Sequence, residues 1–129
     1  MPNLFLLFSH QLTDEQKKDA EENLGIDNFV YLPEDLQQRW SNIPAEQQQL
    51  KELMKPFEEW LLENAVKNDY VLIQGDFGAT FIMVQWVFQN DLIPVYSTTV
   101  RNTLEKYNDN EIKLEKRFKH VLYREYEKI

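Results

Sequence analysis

Histidine and serine are the side chains in this sequence best suited to moving a proton or holding an anion. The two histidines are His10, which follows Ser9 at the end of an apolar run, and His120, near the C-terminus. Imidazole exchanges protons near neutral pH, and a hydroxyl can hold a phosphate oxygen. The other interpretation of Ser9 and His10 is that they only begin a turn.

A second group of such residues lies in "STTVR", residues 97 to 101. Here Thr98 and Thr99 offer hydroxyl donors beside Arg101, whose planar guanidinium suits a phosphate. Threonines at the end of a strand are also common without a functional role.

The C-terminal segment "FKHVLYREY" holds further basic groups. If it forms one regular strand, alternate side chains share a face. One face would then carry Phe118, His120, Leu122, Arg124 and Tyr126, with Lys119 and Tyr123 on the other. We therefore expect His120 and Arg124 to approach the same ligand. Alternatively, Arg124 pairs with an acidic side chain and His120 is a half-buried, satisfied residue.

The stretch "IQGDFGATFI" contains two of only three glycines in the chain, on either side of Asp76 and Phe77. Free N–H groups at the start of a helix attract anions, so residues 74–78 could bind a phosphate (Gln74, Gly75, Asp76, Phe77 and Gly78). Alternatively, Asp76 caps the helix and Gly78 permits close packing. The spacing matches neither the dinucleotide fingerprint nor the phosphate loop with its lysine, so both interpretations stay open.

Composition limits the classes of function. The 129 residues, 43% of them hydrophobic, fit a single folded domain over residues 1–129. The chain has no cysteine and two histidines, so thiolate chemistry is excluded and we expect no metal or other cofactor. The net charge of −8 argues against duplex nucleic acid as a partner. No apolar run is long enough to span a bilayer, so we expect a cytoplasmic protein without membrane contact.

Hydrophobic patterning predicts strands alternating with helices. Predicted strands lie at 3–9, 28–33, 69–74 and 92–98, and predicted helices at 12–25, twice within 33–66, and at 77–90. Pro56 lies inside the second of the two middle helices and could kink it. The remaining residues predict a hairpin whose turn is "NDN".

This alternation predicts an α/β fold, a Rossmann-like three-layer sandwich with a mostly parallel central sheet and a C-terminal antiparallel hairpin. Ligands bind such sheets beyond the carboxyl ends of the strands, which places "SHQ", "QGDFGAT" and "STTVR" along one edge. The helix at 77–90 has almost no polar face, so we expect a second copy of the chain to cover it in a two-fold dimer.

Five blocks in order, "LFLLFSHQLT", "FVYLPEDLQQRWSNIP", "DYVLIQGDFGATFIMV", "LIPVYSTTVR" and "FKHVLYREYEK", resemble a family of small accessory proteins of type III CRISPR systems. This is the Csx family numbered twenty, which is grouped with the ring nucleases. The resemblance implies a fold related to the cyclic-oligoadenylate sensor (CARF) domains and a homodimer that holds the ligand across its two-fold axis.

The activity that the resemblance implies is cleavage of cyclic oligoadenylate, with cyclic tetra-adenylate the favoured ring, by attack of a ribose 2′-OH without a metal. Position at the predicted edge suggests the residues that would act. Catalytic candidates are His10, Arg101, His120 and Arg124, and ligand-binding candidates are Ser9, Gln74, Gly75, Asp76, Phe77, Gly78, Thr98, Thr99 and Lys119. Two alternatives stay open: a protein that binds the ring without cleaving it, and a protein-interaction module with no small ligand.

Overall fold

The computed structural model describes residues 2–108 and 111–129, and for residues 102–108 and 111–117 it describes the backbone alone. It contains a five-stranded sheet flanked by helices. The strands are β1 (Asn3–Leu7), β2 (Asn28–Tyr31), β3 (Tyr70–Ile73), β4 (Ile93–Asn108) and β5 (Glu111–Glu125). The helices are α1 (Asp14–Asp19), continued by a π-helix (Ala20–Leu24), then α2 (Glu34–Ser41), a 3-10 turn (Glu52–Met54), α3 (Lys55–Asn64) and α4 (Phe77–Gln89).

The strand order is β2-β1-β3-β4-β5. The pairs β1–β2, β1–β3 and β3–β4 are parallel, and β4–β5 is antiparallel. Strand β2 is added on one side of β1, and β3 and β4 are added in turn on the other side. The direction in which strands are added to the sheet therefore reverses between β1 and β3. The predicted Rossmann-like α/β fold with a C-terminal antiparallel hairpin is confirmed.

Each face of the sheet has its own apolar core, because the buried strands present side chains alternately to the two faces. Helices α2, α3 and α4 cover one face, where Trp40, Phe57 and Met83 pack against Phe5 and Val71. The segment containing α1 covers the other face, which is filled by Leu4, Leu6, Leu12, Ala20, Ile26, Leu72 and Val95. The molecule therefore has three layers.

The first helix has the caps that its sequence predicts. The Thr13 hydroxyl accepts the Gln16 N–H and the Gln16 side chain accepts the Thr13 N–H, which is a reciprocal capping box. Gly25 ends the segment with a φ of 69°, a left-handed conformation that glycine adopts without strain. The π-helical turn between Ala20 and Leu24 was not predicted.

The middle of the chain differs from its prediction. Residues 42 to 51 form no long helix, so the predicted second helix begins only at the 3-10 turn. Pro56 lies in the first turn of α3, where its missing N–H breaks no helical hydrogen bond, and the expected kink is therefore wrong. Among the described residues, no helix has the length and apolarity needed to span a membrane.

The C-terminal hairpin also differs in detail. The predicted strand at 92–98 and the first arm of the hairpin are one continuous strand, β4. Two residues of the predicted "NDN" turn, at 109 and 110, lie outside the described residues. The antiparallel pairing of β4 with β5 is as expected.

A β-bulge changes which face the residues of β5 occupy. Ser97 pairs with Tyr123, but Thr99 pairs with His120, so one residue of β4 opposes two of β5 between these pairs. Regular alternation is interrupted there. The prediction that His120, Arg124 and Tyr126 share one face is therefore wrong. His120 and Tyr123 face α1, and Tyr126 packs into the core on the α4 side.

Candidate functional site

The reversal point between β1 and β3 is where a sheet of this topology binds ligands, in the crevice beyond the carboxyl ends of the strands. Ser9 and His10 leave the sheet here after β1, and both are exposed. The His10 ring makes an edge contact with the ring of Phe8, at 5.4 Å between centroids. The structure therefore places this predicted pair at the expected edge with its polar groups facing water.

Across the crevice, Gln74 and Gly75 are held by contacts within the fold. The Gln74 N–H donates to the Leu7 carbonyl, and its side-chain oxygen accepts the Ser97 N–H at 2.7 Å. A Cβ at Gly75 would lie 2.8 Å from Nε1 of Trp40, whose N–H donates to the Gln74 carbonyl. Close packing against this indole explains why residue 75 is a glycine.

The start of α4 follows at once. The Asp76 carboxylate accepts the Ala79 N–H at 3.0 Å, so Asp76 is the N-cap of α4. A Cβ at Gly78 would lie 3.1 Å from a methyl group of Leu50. The interpretation of Asp76 as the helix cap is therefore confirmed. The neighbour of Gly78 is the end of the Leu50 side chain and not the sheet, and contact of either residue with a ligand stays a prediction.

Phe77, the first residue of α4, is different because folding does not use its side chain. It is 95% exposed, although the ring is one of the largest apolar groups in the chain. It stands at the carboxyl edge of the sheet beside Asp76. An aromatic ring in such a position is suited to stacking on a planar ligand.

The predicted threonines and arginines on β4 and β5 differ in how far their side chains are engaged within the fold. The Thr98 hydroxyl accepts the Leu122 N–H and donates to the Leu122 carbonyl, so it closes the bulge. Arg101 lies over the ring of Phe118 at 5.1 Å from its centroid. Arg124 donates to the Tyr96 hydroxyl at 2.7 Å and also lies over that ring. The exposed predicted residues Thr99 and Lys119 lie on β4 and β5.

His120 is tied to two other elements. Its Nδ1 lies 2.5 Å from the Ser97 hydroxyl on β4, and its Nε2 lies 2.7 Å from Oδ2 of Asp19 at the end of α1. The His120 side chain is only 5% exposed. Asn23 donates to the other oxygen of Asp19, Oδ1. The structure therefore separates His120 from Arg124, which lies beyond the bulge.

Two further residues complete this polar cluster. The side-chain nitrogen of buried Gln16 lies 3.5 Å from the Ser97 hydroxyl, and Tyr123 donates to the Gln16 carbonyl at 2.9 Å. Burial raises the pKa of Tyr123, and the nearby Asp19 carboxylate raises it further, because both disfavour the phenolate. The Tyr123 phenol therefore stays protonated throughout the physiological range.

Ser97, Asp19 and Gln16 were not predicted to belong to one site. Asp19 is 101 residues away from His120 in the chain, so no local pattern connects the two. A weak signal existed, because Gln16 and Asp19 are three residues apart and therefore share a helix face.

Helix α4 forms a second surface feature. Its 13 residues include no charged side chain. The exposed side of the helix and the C-terminal residues 126–129 border a groove of about 810 Å³, lined by Phe77, Thr80, Phe81, Val84, Gln85, Phe88, Gln89, Tyr126, Glu127, Lys128 and Ile129. Within the single chain only Ala79, Met83 and Val87 of this helix are fully buried, so the cover expected from a second copy stays a prediction. In the part of the chain that the structure describes, no three side chains of metal-binding type come together.

These features define a Rossmann-like α/β protein whose strand order reverses between β1 and β3. The chain belongs to the Uncharacterized protein MJ1673 family, whose model matches residues 2–124. The protein of Methanocaldococcus jannaschii described as Uncharacterized protein MJ1673 is 51% identical over 126 residues, which cover 98% of each chain. No solved structure matches the chain.

Proposed function

We propose that the protein is a ring nuclease that binds and cleaves cyclic oligoadenylate, with cyclic tetra-adenylate as the favoured ring, and so ends antiviral signalling in the cytoplasm. The observation that carries the proposal is the exposed ring of Phe77 at the crevice between β1 and β3. Stacking on an aromatic ring is a common way for a protein to hold an adenine. The resemblance to type III CRISPR-accessory proteins supplies the identity of the ligand.

The polar groups of the crevice fit the phosphates of such a ring. Ser9 and His10 are exposed on one side, and the N-terminus of α4 points its free N–H groups at the other. Arg101 and Arg124 are exposed residues on β4 and β5 and would supply positive charge in an otherwise acidic protein.

The reaction we propose is an internal transesterification. The ribose 2′-oxygen attacks the adjacent phosphorus, the bond from phosphorus to the 5′-oxygen breaks, and a 2′,3′-cyclic phosphate forms. The 2′-OH proton passes to a base, and the departing 5′-oxygen takes up a proton. His10 suits this transfer better than His120, because both ring nitrogens of His120 are already engaged. The rest of the rate acceleration would come from holding the 2′-oxygen in line with the bond that breaks and from stabilising the charge that develops on the phosphate oxygens.

We propose a homodimer in which α4 packs against α4 of a second copy. A chain of net charge −8 repels its own copies, and the charge-free surface of α4 is where two copies can meet without adding to that repulsion. Phe81 lies on the exposed side of α4. Such a dimer would bring two crevices to one ligand.

Binding without cleavage is the second candidate function. It is favoured by the engagement of Gln74, Asp76, Thr98 and His120 in hydrogen bonds within the fold. If the crevice positions no base in line with the 2′-OH, the protein would sequester the ring and release it intact.

The deciding experiment mixes limiting protein with cyclic tetra-adenylate or cyclic hexa-adenylate in the presence of EDTA, followed by chromatography with mass detection. A ring nuclease gives linear products with cyclic phosphate ends in excess over protein. A sequestering protein leaves the rings intact but comigrates with them on gel filtration.

If neither ring is cleaved or bound, and neither raises the melting temperature, the proposed function is wrong and the protein-interaction module becomes the better hypothesis. A ligand that binds only the folded state at a hundredfold excess over Kd stabilises it by about 2.7 kcal/mol. Phe77→Ala should weaken binding of either ring at least tenfold, while the matched variant Leu62→Ala, on the exposed side of α3, should bind normally.

A further inference from the structure

The polar cluster between α1 and the strands β4 and β5 lies on the sheet face opposite α4, and it borders the crevice at the Ser97 N–H, which donates to Gln74. We infer that it is a second reactive site, in which Ser97 is a nucleophile, His120 its base, Asp19 the group that orients the base, and Gln16 the donor that stabilises the developing oxyanion. The proposal depends on neither nucleotide binding nor dimer formation.

The hydrogen bonds of His120 determine which group donates and which accepts a proton in this cluster. The Asp19 carboxylate can only accept, so Nε2 of His120 carries the proton and donates to it at 2.7 Å. Nδ1 of the neutral ring is then an acceptor, and the Ser97 hydroxyl donates to it at 2.5 Å. A serine that donates to an imidazole, itself oriented by a carboxylate, is the arrangement that activates a hydroxyl for attack. Here the two ring nitrogens exchange the places they have in the serine proteases.

Gln16 is oriented toward the same oxygen. Its side-chain carbonyl accepts the Thr13 N–H at 2.8 Å, which turns the amide nitrogen toward Ser97, 3.5 Å from the hydroxyl. Gln16 is more than nine-tenths buried. An oriented amide donor in a dry environment stabilises negative charge that develops on an attacked carbonyl or phosphoryl oxygen.

Two irregularities of the backbone meet at this cluster. Asp19 lies at the junction of α1 with the π-helix, and the β-bulge lies on β5 between His120 and Tyr123, opposite Thr98. Isolated π-turns and bulges are both enriched at functional sites because they re-aim side chains. The bulge is what lets His120 and Tyr123 both face α1.

The chemistry that this arrangement can perform is hydrolysis of a small carboxylic ester. Ser97 is 7% exposed, so the substrate must be slender where it meets the hydroxyl. The Ser97 oxygen bonds to the carbonyl carbon while its proton moves to Nδ1 of His120, and the bond to the alcohol oxygen breaks as that oxygen takes the proton. Water then attacks the acyl carbon, gives its proton to His120, and the acid leaves as Ser97 recovers a proton.

The test uses the full-length protein and a small alkyl fluorophosphonate, which transfers its phosphonyl group to an activated serine with loss of fluoride. Intact mass and peptide mapping should show one adduct per chain, on Ser97. Ser97→Ala should abolish labelling, and Asp19→Asn should slow it at least tenfold. Ser41→Ala, which removes an exposed serine at the end of α2, should label like the parent protein.

The rate of p-nitrophenyl acetate hydrolysis provides a second measurement. Ser41→Ala should match the parent protein, Asp19→Asn should be slower, and Ser97→Ala should be inactive. Peptide mapping of the unmodified sequence decides the matter even if Ser97→Ala does not fold. An adduct on another residue, equal labelling of the Ser97→Ala protein, or no adduct on folded protein would each overturn the inference. None of these results depends on whether cyclic oligoadenylate binds.

Discussion

The indole of Trp40 lies so close to Gly75 that a Cβ there would come within 2.8 Å of its ring nitrogen. Gly75→Ala should therefore destabilise the fold by about 1–3 kcal/mol, because the buried Trp40 cannot move aside without losing its bond to the Gln74 carbonyl. Thermal or urea unfolding measures this change.

Gly78→Ala is the matched control. Its new methyl group would meet only the end of the Leu50 side chain, at 3.1 Å, and alanine is favoured over glycine in a helix by about 1 kcal/mol. We expect this variant to be as stable as the parent protein or more stable. Equal losses for the two substitutions would contradict the packing explanation of Gly75.

Thr98→Val should cost about 1 kcal/mol, because valine keeps the shape of the side chain but loses both hydrogen bonds to the Leu122 backbone. Hydrogen exchange of the Leu122 amide should accelerate as well. Thr99→Val, at an exposed neighbouring position, should change neither quantity. If exchange at Leu122 is unaltered in the Thr98 variant, that threonine does not hold the bulge.

Stability should fall steeply at alkaline pH. Burial raises the pKa of Tyr123 above its ordinary value of 10.0, so the folded state keeps a proton that the unfolded chain releases. This contribution is fully present below pH 10 and is lost as the pH rises beyond it. Tyr126, whose pKa burial also raises, acts in the same direction.

Urea unfolding of Tyr123→Phe at pH 7, 9.5 and 10.5 measures the effect. At pH 7 the free energy of unfolding of the variant should be about 1 kcal/mol below that of the parent protein, since the hydrogen bond to the Gln16 carbonyl is gone. Between pH 9.5 and 10.5 the free energy of unfolding should decrease less for the variant than for the parent protein. A parallel decline of both proteins would show that this phenol does not govern alkaline unfolding.

Phe81→Glu should convert the proposed dimer into a monomer, because a carboxylate would be buried opposite its own copy at the centre of the α4 contact. Light scattering at micromolar concentration measures the change. Leu62→Glu places the same charge at an exposed apolar position on α3 and should remain dimeric. If the parent protein is itself monomeric, the dimer proposal is wrong.

The elements whose signals are local could be predicted from the sequence. The buried strand after Met1, the Thr13 cap and the Gly25 terminus depend only on nearby residues, and all three are present. The bulge could not be predicted, because whether Leu122 has a regular ladder partner depends on how β5 aligns with β4. For the same reason, the hydrogen bonds that join His120 to Ser97 and to Asp19 could not be predicted from local patterns.

The strand order has a consequence for how the chain is made. Strand β1 lies in the interior of the sheet, between β2 and β3, yet it leaves the ribosome before either of them. At roughly 5–20 residues per second, several seconds pass before β3 can cover its second edge. During that time the apolar run "LFLL" presents an open edge in the nascent chain. Until β3 is made, this edge is free to pair with strands of other chains.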